Sequence, residues 1–318
     1  MFTRGTPGAI LSSIAVVLSL APRAVHAQMK NLAERLGYAH DAKLLIIHAD
    51  DLGVAHSVNR ASFEAFGKQA ISSASAMVPA PWFAEVAAYA RANPDHDIGL
   101  HLTHTSEWKH YRWGPSASKG EVPGLLDPYG NLWPDVPSVV KNAKPEEVEK
   151  EIRSQLELAI KAGLRPTHLD SHMGVLFASP AYFAAYVKVA RESGVPFFAP
   201  RVPNAPKELL AAAEQHSFVL DGFAMAGEQV KADQWPASYA DVVRTLRPGV
   251  TELIVHLGFD DVELQAVTMD HPAFGSAWRQ RDFDVVTSEE FKKVLRDNNV
   301  TLIGWRELKR LLPQACPH

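Results

Sequence analysis

The chain has 318 residues, of which 47% are hydrophobic and 21% are charged, and its formal net charge is -4 at pH 7. A chain of this length can bury a large core, either in one large domain or in two smaller ones. Because positive and negative residues are interspersed without a basic stripe, the composition argues against nucleic acid as a partner. Cys316 is the single cysteine, which excludes an internal disulfide and a zinc site built from cysteines.

The N-terminal segment differs in kind from the rest of the chain. Arg4 precedes an apolar run, Ala9–Ala21, and Val25–Ala27 offers small residues on both sides of His26, as a signal-peptidase site requires. We interpret residues 1–27 as a secretory signal peptide and 28–318 as one mature domain, exported to the periplasm or secreted. The alternative is a membrane anchor, but the run is shorter than the roughly 20 residues that cross a bilayer. After cleavage the chain is not expected to span a membrane.

Short runs rich in Val, Ile, Leu and Phe alternate with longer amphipathic segments. The short runs predict strands at Lys43–His48, Ile98–Thr103, Pro166–His172, Pro196–Ala199, Ser217–Leu220, Glu252–His256 and Thr301–Ile303. Helical periodicity predicts helices at Pro145–Ala162, Tyr182–Ser193, Pro206–Gln215 and Ser288–Asn298. Apolar strands that alternate with helices favour a parallel sheet covered on both faces. The number of units predicts an α/β fold with a closed or partly closed barrel in a single domain, and an open doubly wound sheet is the alternative.

Histidine and aspartate recur where four of the predicted strands end. The residues are His48, Asp50 and Asp51, then His101, then His168, Asp170 and His172, and finally His256 followed by Asp260 and Asp261. A lone histidine after a strand is more often an ordinary partly buried side chain, and we leave His104, His110 and His271 under that interpretation. Buried aspartate is rarely tolerated unpaired, however, and the carboxyl ends of parallel strands meet at one rim. The repetition therefore predicts a site for a divalent metal ion.

Strand geometry divides these residues by role. Positions two apart share a face, so Asp170 is better placed to orient a neighbouring histidine than to bind the metal itself. Asp50 and Asp51 are adjacent and can serve one centre only if the backbone is already turning, which the following Leu52–Gly53 permits. One of the two carboxylates would then bind the metal and the other would act as a base. His256, on the opposite side of the rim, is the candidate general acid.

The same residues carry a resemblance to a known family. The motifs are HADDLG, ISSASAMV, IGLHLT, RPTHLDSHMG and ELIVHLG, with a late Arg281 before FDVVTS, and they extend over nearly the whole mature chain from Leu44 to Leu308. In this order they resemble the YdjC-like carbohydrate deacetylases, which include the chitooligosaccharide deacetylases. The chain departs from the pattern at Met173–Leu176, where many relatives have further histidines, and at Leu257, where proline is usual.

The resemblance implies a distorted (β/α) TIM-like barrel and metal-dependent hydrolysis of N-acetyl groups on amino sugars, with release of acetate. Carried over by position, the implied metal ligands are Asp51, His101 and His172, the general base is Asp50, and the general acid is His256. Arg281 would lie near the substrate or orient Asp50. The implied cofactor is one divalent metal ion. Two imidazoles with one carboxylate suit Zn²⁺, and Mg²⁺ or Mn²⁺ would suit a more hydrated version of the site.

A long irregular segment, Thr105–Val140, follows one of the predicted strands. Trp108, Tyr111 and Trp113 within it offer flat apolar faces to the rings of a sugar substrate. The alternative is that these aromatic side chains pack the segment onto the barrel. Loops of this length in compact domains usually have a function.

Two other functions stay open from the sequence. An exported metallophosphatase would use a similar rim, although such sites often carry more carboxylates for two metals. A non-catalytic sugar-binding protein would need neither a base at Asp50 nor an acid at His256. The expected partner is an N-acetylated sugar or oligosaccharide, and the sequence leaves a homodimer open as the assembly.

Overall fold

The computed structural model describes residues 31–199, 211, 213–214 and 217–312. The signal peptide interpreted at 1–27 and most of the helix predicted at Pro206–Gln215 lie outside the described residues. No helix within the described part of the chain is both long and apolar enough to cross a membrane.

Within the described residues, seven strands form one sheet in which all pairs are parallel. The strands are β1 (Lys43–Leu52), β2 (Ser73–Ala76), β3 (Ile98–Leu102), β4 (Leu169–Ser171), β5 (Gly222–Met225), β6 (Gly249–Val255) and β7 (Val300–Leu302). Their order is β4-β3-β2-β1-β6-β5, and β7 pairs with β1. The sheet curves into a half-barrel surrounded by helices, which confirms the prediction of a barrel-like α/β fold in a single domain.

Eleven α-helices are assigned in the described residues. They are α1 (Leu32–Arg35), α2 (His56–Gly67), α3 (Phe83–Ala92), α4 (Val136–Asn142), α5 (Pro145–Lys161), α6 (Pro180–Ser193), α7 (Trp235–Arg244), α8 (Val262–Val267), α9 (Ser276–Thr287), α10 (Glu289–Asp297) and α11 (Trp305–Lys309). Short 3-10 helices cover Pro123–Leu125, His172–Phe177 and Ala232–Gln234. The amphipathic pattern located α5 and α6 to within two residues, and α6 ends as expected at Gly194, whose φ of 63° lies in the left-handed region.

Strand β1 organises the barrel because both of its edges are paired. One edge pairs with β6 from Lys43 to Ala49, and the other pairs with β7 near the start of β1 and with β2 near its end. Alternate residues belong to different apolar clusters: Leu45 and Ile47 pack in the main core, whereas Leu44 and Ile46 pack in a second cluster. Successive side chains on a strand face opposite sides. The face of β1 that carries Leu44 and Ile46 therefore becomes polar toward the carboxyl end of the strand.

The gap between β4 and β5 is bridged by a few backbone hydrogen bonds of the segments 196–199 and 217–221. Phe198 N donates to Leu169 O at 2.8 Å, Leu220 N donates to Ala199 O at 3.1 Å, and Asp221 N donates to Val250 O at 2.9 Å. The strands predicted at 196–199 and 217–220 are therefore wrong as regular strands, although both segments bond to the barrel. The sequence analysis missed β2 and β5 as strands.

Candidate functional site

The end of β1 turns in the way that two adjacent acids require. Asp51 has a φ of 70°, in the left-handed region that aspartate tolerates better than most residues, and the register between β1 and β2 shifts between Ala49 and Leu52. Gly53 follows with a φ of 96°, and a Cβ there would lie 3.1 Å from the Met77 carbonyl oxygen. The irregularity brings Asp50 and Asp51, both buried, to the same centre.

Three side chains at the ends of three different strands each direct one atom to a common position. Asp51 Oδ1 lies 3.3 Å from His101 Nε2 and 3.4 Å from His172 Nδ1, and the two imidazole nitrogens are 3.2 Å apart. His101 is on β3, and His172 directly follows β4 at the start of a 3-10 helix. The three residues that the family resemblance implies as metal ligands are therefore brought together.

The remaining polar atom of each of these side chains already has a partner. Asp170 Oδ1 lies 2.6 Å from His101 Nδ1, Glu107 Oε2 lies 3.1 Å from His172 Nε2, and Arg279 Nη2 donates to Asp51 Oδ2 at 2.7 Å. If each outer imidazole nitrogen carries its proton toward a carboxylate, the inner nitrogens are bare lone pairs. Asp51 Oδ1 has no hydrogen-bond partner although it is buried. Three acceptors thus face one another, an arrangement that needs a cation between them.

The dimensions of this triangle fit a divalent metal ion. Tetrahedral bonds of about 2.0–2.2 Å place ligand atoms about 3.3–3.5 Å apart, close to the three separations seen here. The electrostatics agree: burial by itself lowers the pKa of His172, but Glu107 and Asp51 raise it to about 9. Burial also disfavours the charged form of Asp51 and by itself raises its pKa. Arg279 and the two histidines nevertheless hold that pKa well below its ordinary value. The surrounding groups therefore keep Asp51 ionised and favour a positive charge in the triangle, either a proton on His172 or a metal ion in its place.

Asp50 lies beside the triangle and is held by other residues. Its Oδ1 lies 3.1 Å from His48 Nε2 and accepts from Ser75 Oγ at 3.4 Å, and its Oδ2 faces His256 Nε2 at 3.9 Å. Burial opposes ionisation of Asp50, but the charge of His101 and the hydrogen bond from His48 lower its pKa below the ordinary value. Asp50 is therefore an anion at neutral pH, as a base must be.

His256 directly follows β6, which pairs with β1, so it lies beside Asp50 and not on the opposite side of the rim as the sequence analysis expected. Its backbone N–H donates to Asp282 Oδ2 at 2.9 Å, its ring packs edge-on against Phe274, and its Nδ1 has no hydrogen-bond partner. Burial lowers the pKa of His256 to about 4. The imidazole is therefore neutral at neutral pH and can accept a proton as well as return one.

Beneath the triangle, Asp170 also joins a buried polar network. Its Oδ2 lies 3.1 Å from His48 Nε2 and 3.6 Å from His168 Nε2, while His168 stacks on Trp305. Gly99 makes room for this ring, because a Cβ at Gly99 would lie 2.4 Å from it. Asp170 thus takes the orienting position that strand geometry predicted, whereas His168 lies below the cavity.

The arginine prediction needs a correction. Arg281 lies with its guanidinium 4.6 Å from the centre of the Trp235 ring and does not reach Asp50 or the cavity. Arg279, two residues earlier on α9, is the one that binds Asp51. Two residues correspond to about 200° around a helix, so the two arginines lie on opposite sides of it. The same helix also carries Asp282, which holds His256.

The aromatic side chains of the segment Thr105–Val140 differ in role between the two alternatives, sugar binding and packing onto the barrel. Trp113 is buried, its indole N–H donates to Thr105 O at 3.0 Å, and it does not line the cavity, so the packing alternative holds for this residue. Tyr111 donates its hydroxyl to Val54 O at 2.8 Å and also ties the segment to the barrel. Trp108 is also buried but lines the cavity.

Glu107 is the site residue whose role the sequence analysis missed. Its side chain is largely buried against His172, with Oε2 3.1 Å from His172 Nε2. No periodic pattern marks it, because it belongs to an irregular segment after β3. The available signal was its position, six residues after His101, a predicted ligand at a strand end.

A cavity of about 620 Å³ opens onto these residues. Asp50, Asp51, His101, His172 and His256 all line it, and the opposite side is formed mainly by methionine and phenylalanine side chains. A volume of this size accommodates a small-molecule substrate.

Comparisons with known proteins give one consistent result. The model of the YdjC-like protein family matches residues 44–297. A carbohydrate deacetylase from Thermus thermophilus is 30% identical over 295 residues, which are 89% of this chain and 99% of the relative. A carbohydrate deacetylase from Brevibacillus brevis is 29% identical, over 83% of this chain and 99% of the relative. A crystal structure from Enterococcus faecalis, described provisionally as a cellobiose-phosphate cleavage protein, superposes with a TM-score of 0.71 at 25% identity, over 84% of this chain and 99% of that one.

Proposed function

The chain belongs to the YdjC-like protein family, and on that premise we propose that it is a metal-dependent carbohydrate deacetylase that hydrolyses N-acetyl groups of amino sugars or their oligosaccharides. The observation that carries the proposal is the triangle of Asp51, His101 and His172, with Asp50 and His256 beside it on one cavity. Binding alone would need neither a buried base nor a buried proton carrier.

Asp51, His101 and His172 would hold the metal ion, which when bound supplies an acidified water and polarises the carbonyl oxygen of the amide. Two nitrogens with one carboxylate oxygen favour Zn²⁺ over Mg²⁺ as that ion. Asp170 and Glu107 fix the tautomers of the two histidines, so that the lone pairs of His101 Nε2 and His172 Nδ1 stay directed inward. Arg279 occupies the outer oxygen of Asp51 and leaves the inner one free.

Asp50 takes the proton of the attacking water on Oδ2, since Oδ1 is already engaged by His48 and Ser75. His256 Nε2 is 3.9 Å from that oxygen. Because its pKa of about 4 leaves His256 neutral, the proton that it delivers to the departing nitrogen is the one that Asp50 has taken from water. Water thus adds across the C–N bond, and the products are acetate and the free amine.

Replacement of Asp50 tests this assignment. Asp50→Asn removes the base but keeps the side-chain shape, and we expect kcat to fall by about 10²–10⁴, with metal content unchanged. Acetate release from N-acetylglucosamine and chitooligosaccharides is measured on chelated protein resupplied with Zn²⁺, Mg²⁺ or Mn²⁺. Full turnover by Asp50→Asn would sink the proposed mechanism. Release of phosphate from sugar phosphates, with none of acetate, would favour a phosphatase instead.

A further inference from the structure

The cavity above the proposed catalytic residues has one side that the deacetylation of a plain amino sugar does not explain. Six apolar residues form this side, which we call the apolar wall: Met173, Phe177, Phe198, Phe223, Met225 and Ile254. It faces the same space as Asp50 and His256. An occupant of the wall would therefore be continuous with a substrate held at the triangle.

Strands β5 and β6 build one part of the apolar wall. Phe223 and Met225 are two residues apart on β5 and so share a face, and they are 42% and 43% exposed. Met225 pairs with Ile254 on β6, two residues before His256. Along the inner face of β6, Ile254 of the apolar wall is therefore followed directly by His256, the proposed acid.

The other part follows His172. Met173 is 46% exposed and Phe177 37% exposed, and both belong to the 3-10 helix that His172 begins. The Phe177 ring lies 6.3 Å from Phe198, which lies 6.1 Å from Phe223. The apolar wall therefore runs without a break from a proposed metal ligand to β5.

Several large apolar side chains left half exposed around one cavity mark a binding surface for an apolar group. A second sugar ring would need hydrogen-bond partners for its hydroxyls. Among the described residues that line the cavity beyond the catalytic ones, Glu107 and Arg279 are already paired, which leaves the polar groups of Trp108, Ser171 and His271, and Ser171 Oγ already accepts from Leu176 N. None of the six side chains of the apolar wall has an N–H or O–H group. The wall is thus poorly suited to an oligosaccharide.

We propose that the substrate is an N-acylated amino sugar that carries an aliphatic chain, and that this chain lies on the apolar wall while the amide reaches Asp50 and His256. The proposal rests on the proposed deacylase function and specifies its substrate class. The chain has two chemical sources. It is either the acyl group, released as a fatty acid, or an alkyl group on the sugar, retained on the amine after acetate leaves; in both cases one water is consumed and one C–N bond is broken.

Two substrate series distinguish these sources. The first holds methyl, butyl and octyl glycosides of N-acetylglucosamine, and the second holds N-acetyl-, N-butanoyl- and N-octanoylglucosamine, all below their micelle concentrations. The free amine is measured with the metal-loaded protein. We expect kcat/KM to rise about two- to fourfold per added methylene in one series, as partial to full burial of a methylene predicts. The series that shows the rise identifies the source.

Phe223→Gln is the test variant and Tyr129→Gln its control, because Tyr129 is 88% exposed outside the cavity. Phe223→Gln should flatten the dependence of kcat/KM on chain length, and Tyr129→Gln should preserve it.

Dissociation constants of the same compounds for the Asp50→Asn variant provide a readout free of catalysis. Binding that depends on chain length without any turnover would sustain the apolar subsite and refute only the deacylase function. If neither series shows a length dependence in turnover or in binding, or if chitooligosaccharides surpass every alkyl or acyl derivative, the apolar subsite is refuted.

Discussion

Strands β1 to β4 present histidine, aspartate and serine side chains to the barrel interior, whereas β5 and β6 present Phe223, Met225 and Ile254 to the same cavity. The first half is buried and tightly hydrogen-bonded: His101 and Asp170 are each less than a tenth exposed and contact each other at 2.6 Å. In the second half Phe223 and Met225 are 42% and 43% exposed, and the Phe223 ring contacts that of Phe198.

This difference predicts that catalysis and substrate selection can be altered separately in this barrel. A change in the polar half disturbs charges that are buried and mutually dependent, so its effects should be large and should involve the metal. A change in the apolar half alters contact area without leaving a buried charge unpaired, so its effects should be graded with the substrate. Variants in the polar half provide the strongest tests of this division.

The largest effect is expected at Asp51. Asp51→Asn retains an oxygen for Arg279 but turns an N–H group toward His101 and His172, where a lone pair is required. We expect metal content and turnover to fall to background, measured by elemental analysis and by amine release. Asp260→Asn is the matched control, because Asp260 is exposed at the same rim and bonds to Gln265. An Asp51→Asn protein that still held stoichiometric metal would contradict the triangle as the metal centre.

A smaller effect is expected at Glu107. Glu107→Gln keeps the length of the side chain but removes the charge that orients His172, and such changes typically weaken metal affinity about 10–100-fold. Competition with a chromophoric chelator measures this affinity independently of activity. Glu121→Gln is the control, since Glu121 is exposed and pairs only with Lys150. Equal metal affinity in the two variants would show that Glu107 does not position the histidine.

The sequence predicted the polar half because its residues are chemically conspicuous at strand ends. The rule that the carboxyl ends of parallel strands meet predicted that Asp50, Asp51, His101 and His172 share one rim with other histidines and aspartates, and the family resemblance then implied their separate roles. Phe223 and Met225 could not be found in this way: in the four-residue strand GFAM they are indistinguishable from core residues until the open cavity beside them is seen. Glu107 was missed because an irregular segment offers no periodicity from which to infer a contact.

The smallest effects are expected from substitutions of the two arginines on α9. Arg279→Lys keeps the charge near Asp51 but loses the second hydrogen bond, in which Arg279 Nε donates to Phe274 O at 2.7 Å. We expect metal affinity and kcat/KM to fall several-fold, since Asp51 then has a less rigid partner. Arg281→Lys is the matched substitution. It changes only a cation–π contact with Trp235, worth about 0.5–1 kcal/mol.

Arg281→Lys should therefore leave kcat/KM within about twofold while lowering the free energy of unfolding by at most the value of that contact. Urea denaturation and amine release, measured on both variants, separate the two effects. A loss of turnover in Arg281→Lys as strong as that in Arg279→Lys would contradict the assignment of Arg279 to the polar half and of Arg281 to the opposite side of α9, where it packs on Trp235. The polar half would then include Trp235, which lies outside the cavity.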